Sequence, residues 1–174
     1  MRLAAFTASL ALAISALAMP PVPRKSPEFT IVEPSGKQTL LSSLKGKVVV
    51  IEFLSTTCPH CQQASMMFSR LYKELGPRGF QPLGVAFNTG VTPAMVTGFV
   101  QQFGATYPVG YSSAETVYSY LGFSVMDRVM VPQIVVIDRK GMIRAQSPVA
   151  GEPNLQNEAY IRNLIEGLLK ENHK

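Results

Sequence analysis

Only two cysteines and two histidines occur in the 174 residues. The cysteines, Cys58 and Cys61, lie three positions apart, so a bond between them would close a small ring and add little loop-closure stabilisation. A disulfide-stapled scaffold is therefore excluded. Tetrahedral zinc takes four ligands, and this neighbourhood offers Cys58, Cys61 and His60, which weighs against a metal site. There is no glycine-rich phosphate loop, no internal repeat and no interleaving of aromatic with basic residues, so neither a nucleotide cradle nor a nucleic-acid surface is expected.

Charge is also sparse, at 16% of residues against 47% hydrophobic, which suits one sizeable core in one domain. The apolar run Leu3 to Leu17 follows Arg2 and ends in Ala16-Leu17-Ala18, the pattern of a secretory signal peptide over residues 1–18. An uncleaved anchor helix is the alternative, but the run is short for a span and carries Thr7, Ser9 and Ser15. Cleavage near Ala18 leaves 15 basic residues (16 less Arg2) against 11 acidic ones, a mature charge of +4. Residues 19–28 hold Pro20, Pro21, Pro23 and Pro27, a composition that favours an extended tether over a packed element. The folded domain is expected over residues 29–174.

Within that domain the run Phe29 to Val32, the turn around Pro34-Ser35-Gly36-Lys37 and the leucines at 40, 41 and 44 predict an N-terminal hairpin. The segment Val48 to Leu54 is apolar except for Glu52, which predicts a central strand covered on both faces. Apolar residues then recur at helical spacing from Ala64 to Leu75, stopped by Gly76-Pro77. A strand from Leu83 to Phe87 leads to a helix capped by Thr92 with Pro93 at its first position. Tyr107 to Val109 is expected as a third strand and Ala114 to Leu121 as a short helix that stops at Gly122. Pro132 opens a hairpin, Gln133 to Ile137 and Met142 to Ala145, before a last amphipathic helix carrying Ile161, Leu164, Ile165, Leu168 and Leu169. Strands alternating with helices give an α/β fold, a mixed central sheet with helices on both faces.

Disulfide exchange needs an attacking thiolate, a resolving thiol and surroundings that favour the first as an anion. Cys58 falls at a strand-to-helix junction, where free backbone N–H groups and the helix dipole favour a negative sulfur. Cys61, one turn inside the helix, is the natural resolving thiol. His60 can donate toward Cys58 or add positive charge; a solvated loop histidine is the other reading. A carboxylate in an apolar strand is costly unless neutral or paired. Glu52 is accordingly either a proton carrier for Cys61 beneath the disulfide or a strand-edge residue reaching solvent or Lys47.

This order of strand, Cys-x-x-Cys, helix and late Pro-led hairpin resembles the thioredoxin superfamily from about Phe29 to Leu169. Gly36 to Leu54, with Leu40, Leu44 and Gly46-Lys47-Val48-Val49-Val50, resembles its exported TlpA/ResA-like redoxin branch, including the N-terminal β-hairpin extension. The resemblance implies a cis peptide at Val131-Pro132 facing the cysteines, with Val131 offering backbone groups to a substrate strand and Pro59 on the same surface; a trans Pro at a strand start is the alternative. It also implies that Glu52 holds the place of the buried acidic residue of thioredoxins. With no tryptophan, Thr57 stands where an aromatic residue commonly precedes the first cysteine. The Pro59-His60 pair resembles the oxidant DsbA, but the 70 residues between Cys61 and Pro132 read as ordinary strand-helix steps without its helical insertion.

The function that follows is an exported, periplasmic thiol:disulfide oxidoreductase, reductive as in cytochrome c maturation if the scaffold outweighs the motif. Its partners would be protein thiols and disulfides and a membrane redox protein that recycles the pair. No cofactor and no metal are expected, and the chain would be a monomer. A peroxidase of the peroxiredoxin type is a second reading, motivated by Ser55, although Ile51 stands where that family carries a Pro. A non-catalytic metal- or thiol-binding module is a third.

Overall fold

The structure, a computed structural model, describes residues 20–171. Residues 1–18, expected as a signal peptide, Met19 and the last three residues lie outside the described residues. Strand β1 (Arg24–Lys25) precedes β2 (Thr30–Val32) and β3 (Gln38–Leu40), and a one-turn 3₁₀ segment leads into β4 (Val48–Leu54). Helix α1 (Pro59–Leu75), β5 (Phe80–Ala86), α2 (Pro93–Phe103), β6 (Val109–Tyr111) and α3 (Ala114–Leu121) follow in alternation. The chain closes with the hairpin β7 (Gln133–Ile137) and β8 (Met142–Gln146) and helix α4 (Glu158–Lys170).

All eight strands form one mixed sheet in the order β1-β8-β7-β4-β5-β6-β2-β3. Strand β4 runs parallel to β5 and antiparallel to β7, and every one of its residues is buried. Because side chains alternate along a strand, Val48, Val50 and Leu54 pack under α1 and α4 with Phe68, Leu71, Ile161 and Ile165. Val49, Ile51 and Phe53 pack on the opposite face with Phe29, Ile31, Tyr120 and Leu121. That alternation sends Glu52 to the α1 face, with Val50 and Leu54. The helices thus cover both faces of a thioredoxin-like sheet, with the β2–β3 hairpin added at one edge through β6.

Three expected boundaries shift. Strand β5 begins at Phe80 instead of Leu83, running through Pro82; β6 pairs only with Gly84 to Ala86, so the missing N–H of Pro82 costs no ladder bond on that side. Strand β6 starts at Val109, and Tyr107, expected in that strand, is buried ahead of it. The proline-rich stretch expected as a tether is docked: Arg24 and Lys25 pair with Ile143 and Met142 of β8, and the Ser26 hydroxyl shares a hydrogen bond of 2.9 Å with the Tyr120 hydroxyl. Proline favours an extended chain, but the open edge of β8 supplies the backbone partners that composition does not reveal.

Candidate functional site

Four residues separate the end of β4 from α1, and the last of them, Cys58, is the helix N-cap. Pro59 occupies the first helical position, where its missing N–H costs nothing and its fixed φ suits the helix. The cap is made by sulfur: the Cys61 N–H donates to Cys58 Sγ at 3.3 Å. Cys58 is half-buried and Cys61 wholly buried, and both are free thiols in this structure. The cysteine that meets solvent is therefore the first, and the one held in reserve is the second.

The Val131–Pro132 peptide is cis, as the resemblance implied. Across from the helix cap, the Cys58 thiol donates to the Val131 carbonyl at 3.7 Å. The Val131 N–H has no hydrogen-bond partner among the described residues. Pro59 and His60 are exposed, and Pro132 is buried at the start of β7.

Of the roles open to His60, donation toward the Cys58 sulfur is not seen, and its exposure fits the solvated reading. It makes no hydrogen bond to Cys58; that place is filled by the Cys61 amide. Instead it lines a shallow cleft of about 310 Å³ along α1 with Gln63, Arg70 and Glu158. The physical reason is the helix itself: His60 is two residues past the cap and projects from the outer side of the first turn, whereas residue 61 turns inward.

Glu52 is neither at a strand edge nor near solvent. It is fully buried, paired in register with Ile134 on one side and Gly84 on the other. Lys47, its alternative partner, reaches Gln81 instead. Glu52 Oε2 accepts from the Ser65 hydroxyl at 2.6 Å and from the Tyr107 hydroxyl at 3.4 Å, while Oε1 has no partner among the described residues. Burial pushes the Glu52 carboxyl up to about 8, against the opposing pull of those two hydrogen bonds. The Cys61 thiol is raised as well, by burial first, then by its hydrogen bond with Cys58, with the Glu52 and Cys58 charges adding to it. A carboxyl that is protonated at neutral pH thus lies within electrostatic reach of a thiol that resists losing its proton.

Ser65 and Tyr107 were not singled out from sequence. Ser65 follows Cys61 by four residues on the same helix and so shares its face, a spacing that was available. Nothing local marks Tyr107, which reaches Glu52 across 55 residues. Ser55 lies close to Cys58, whose N–H donates to the Ser55 carbonyl at 3.1 Å, but the Ser55 hydroxyl pairs with Thr57 at 3.3 Å. Among the described residues no group of three or more His, Cys, Asp or Glu side chains could hold a metal ion.

Residues 22–146 match the model of the AhpC/TSA family. The chain is 25% identical over 142 residues to the thiol-disulfide oxidoreductase ResA of Bacillus thuringiensis, covering 81% of this chain and 77% of that protein. It is 32% identical over 84 residues to ResA of Bacillus subtilis, covering 48% and 46%. Among solved structures, a thiol:disulfide interchange protein of the thioredoxin family from Chlorobium tepidum superposes with a TM-score of 0.70 at 25% identity, over 86% of this chain and 99% of that one.

Proposed function

We propose, because the chain belongs to the AhpC/TSA family and to the ResA-like redoxins of the thioredoxin superfamily, that it is an exported dithiol oxidoreductase reducing protein disulfides. Thiol-disulfide exchange is its activity; export, the reductive direction and a membrane donor that recharges it are the further reading. The observation that carries the chemistry is the sulfur cap, an accessible Cys58 held by the amide of a buried Cys61.

In that reaction the Cys58 thiolate attacks one sulfur of a substrate disulfide, and the other sulfur leaves as a thiolate. Cys61 then loses its proton and attacks Cys58 Sγ. The Cys58–Cys61 bond forms, the mixed disulfide breaks, and the substrate departs as a dithiol once its two thiolates are protonated. An extended substrate chain can pair with the free N–H of Val131 and, once the Cys58 proton has left, with its carbonyl. Glu52 serves the buried half of the cycle. When an external thiolate reopens the disulfide, Cys61 leaves as a thiolate and the protonated Glu52 supplies its proton; in the forward step the ionised carboxylate takes it back.

The Ser55 hydroxyl pairs with Thr57, and no observation favours the peroxidase reading over exchange. Insulin reduction and the oxidation of reduced RNase by Cys58→Ser and Cys61→Ser variants test the assignment. Cys58→Ser is expected to abolish both, and Cys61→Ser to accumulate a mixed disulfide on Cys58; activity surviving in Cys58→Ser would sink it. The direction rests on the Cys58–Cys61 potential against glutathione, where about 30 mV is 1.4 kcal/mol, and a value at the oxidising end would overturn the reductive reading.

A further inference from the structure

The three most exposed large apolar side chains among the described residues are Val125 at 67%, Met126 at 86% and Met130 at 60%. They fall within six consecutive residues, and that segment ends next to Val131, whose carbonyl accepts from the Cys58 thiol. Exposure here is built in. The Ser124 N–H donates to Asp127 Oδ2 at 2.8 Å, the Asp127 N–H to the Ser124 carbonyl at 3.0 Å, and the Met126 N–H to Ser124 Oγ at 3.2 Å. This closed turn holds Val125 and Met126 outward. Both ends of the loop are tied down, by the Phe123 N–H on the Tyr118 carbonyl at 2.9 Å and by the Met130 N–H on the Val149 carbonyl at 2.9 Å. The Met130 carbonyl also accepts from the buried Gln133 amide at 2.7 Å.

We propose that the loop from Phe123 to Met130 is a docking platform for a substrate polypeptide that carries an apolar side chain within a few residues of its reacting cysteine. The proposal rests on the disulfide-exchange reading above and adds which substrates it favours. Exchange itself brings the occupant: a substrate sulfur must reach Cys58 Sγ on the side bounded by Val131, so the flanking chain passes the loop. Val131 borders the Cys58 sulfur, and the segment that leads into it carries the exposed Val125, Met126 and Met130, so the residues flanking a substrate cysteine meet this loop. Asp127 and Arg128 are the only charged residues in the loop and cancel in formal charge, so the platform selects for apolar character and not for charge. Methionine, unbranched and polarizable, adapts to differently shaped partners, and a turn already closed by its own hydrogen bonds has little ordering left to lose on binding.

The test uses the full chain and three probes: glutathione disulfide, and two glutathione-capped cysteine peptides that differ only in bearing Leu or Ser two residues either side of the cysteine. Cys58 is expected to react about tenfold faster with the Leu peptide than with the Ser peptide. Val125→Ser combined with Met126→Ser is expected to erase that preference while leaving the glutathione disulfide rate unchanged; both side chains are exposed, so the fold is kept. Equal rates for the two peptides in the parent chain, or a preference that survives in the double variant, would overturn the platform while leaving exchange intact. A chain inert to glutathione disulfide as well would remove the exchange reading and the platform with it. Met126 shielded from dilute peroxide in the free chain would mean that a second copy or residues 1–19 already cover the loop, which also overturns the proposal.

Discussion

The Ser65 hydroxyl donates to Glu52 Oε2 across 2.6 Å, from helix α1 to the central strand β4. Cys61 lies one turn earlier on the same face of α1. The charge state of a buried strand carboxyl is thereby coupled to the turn that carries both thiols.

Glu52 makes stability depend on pH. Between its ordinary value of 4.5 and about 8 the folded chain keeps a proton that the unfolded chain has released. The folded state binds more protons across that window, so this contribution is complete below the lower value, falls as pH rises, and levels off above the upper one. Each unit of the window corresponds to about 1.4 kcal/mol. Glu52→Gln, neutral throughout, is expected to flatten the fall in urea-unfolding free energy, and a slope unchanged from the parent would contradict the assignment.

Ser65→Ala removes the closer of the two donors that favour the ionised Glu52. The carboxyl is expected to titrate above about 8 in a carbon-13 NMR titration, and the fold to lose about 1 to 3 kcal/mol from a buried acceptor left short of a partner. A downward shift would mean that the Ser65 bond favours the neutral acid.

His60 is exposed and its ring makes no hydrogen bond to the Cys58 sulfur, so solvent screens its charge. His60→Ala is expected to move the Cys58–Cys61 potential by less than about 30 mV, the equivalent of 1.4 kcal/mol. A larger shift in glutathione equilibration would restore His60 as the residue that sets the redox poise.

Gly110 in β6 has no room for a side chain. A Cβ there would run into the Val32 carbonyl and lie 2.7 Å from Ile31 Cγ2. Gly110→Ala is expected to cost about 1 to 3 kcal/mol by forcing β2 away from β6, with amide exchange rising in Thr30 to Val32 first. Parent-like stability would show that the edge strand yields freely.

Much of the fold was legible because local signals agreed with one another. Val48 to Leu54 is apolar on both faces and became the central strand; Thr92-Pro93 and Ala114 to Gly122 carried their caps in the sequence and became α2 and α3. Pro82 hid the first half of β5, since a proline reads against a strand unless the pairing on each side is known. Residues 24–25 read as tether because the β8 edge that holds them lies more than a hundred residues away.

What the sequence by itself determined is the placement of the two cysteines, from which the proposed division of labour follows. Cys58 precedes a proline at a strand-to-helix junction, and Cys61 follows one turn later, so backbone geometry alone makes one a cap and the other inward-facing. Only the tertiary structure decided the fate of Glu52, whereas the helix that begins after Cys58 already turns His60 outward. Whether a carboxyl in an apolar strand is buried depends on which strands flank it, and Ile134 and Gly84 are 82 and 32 residues distant in the chain (134 − 52 and 84 − 52).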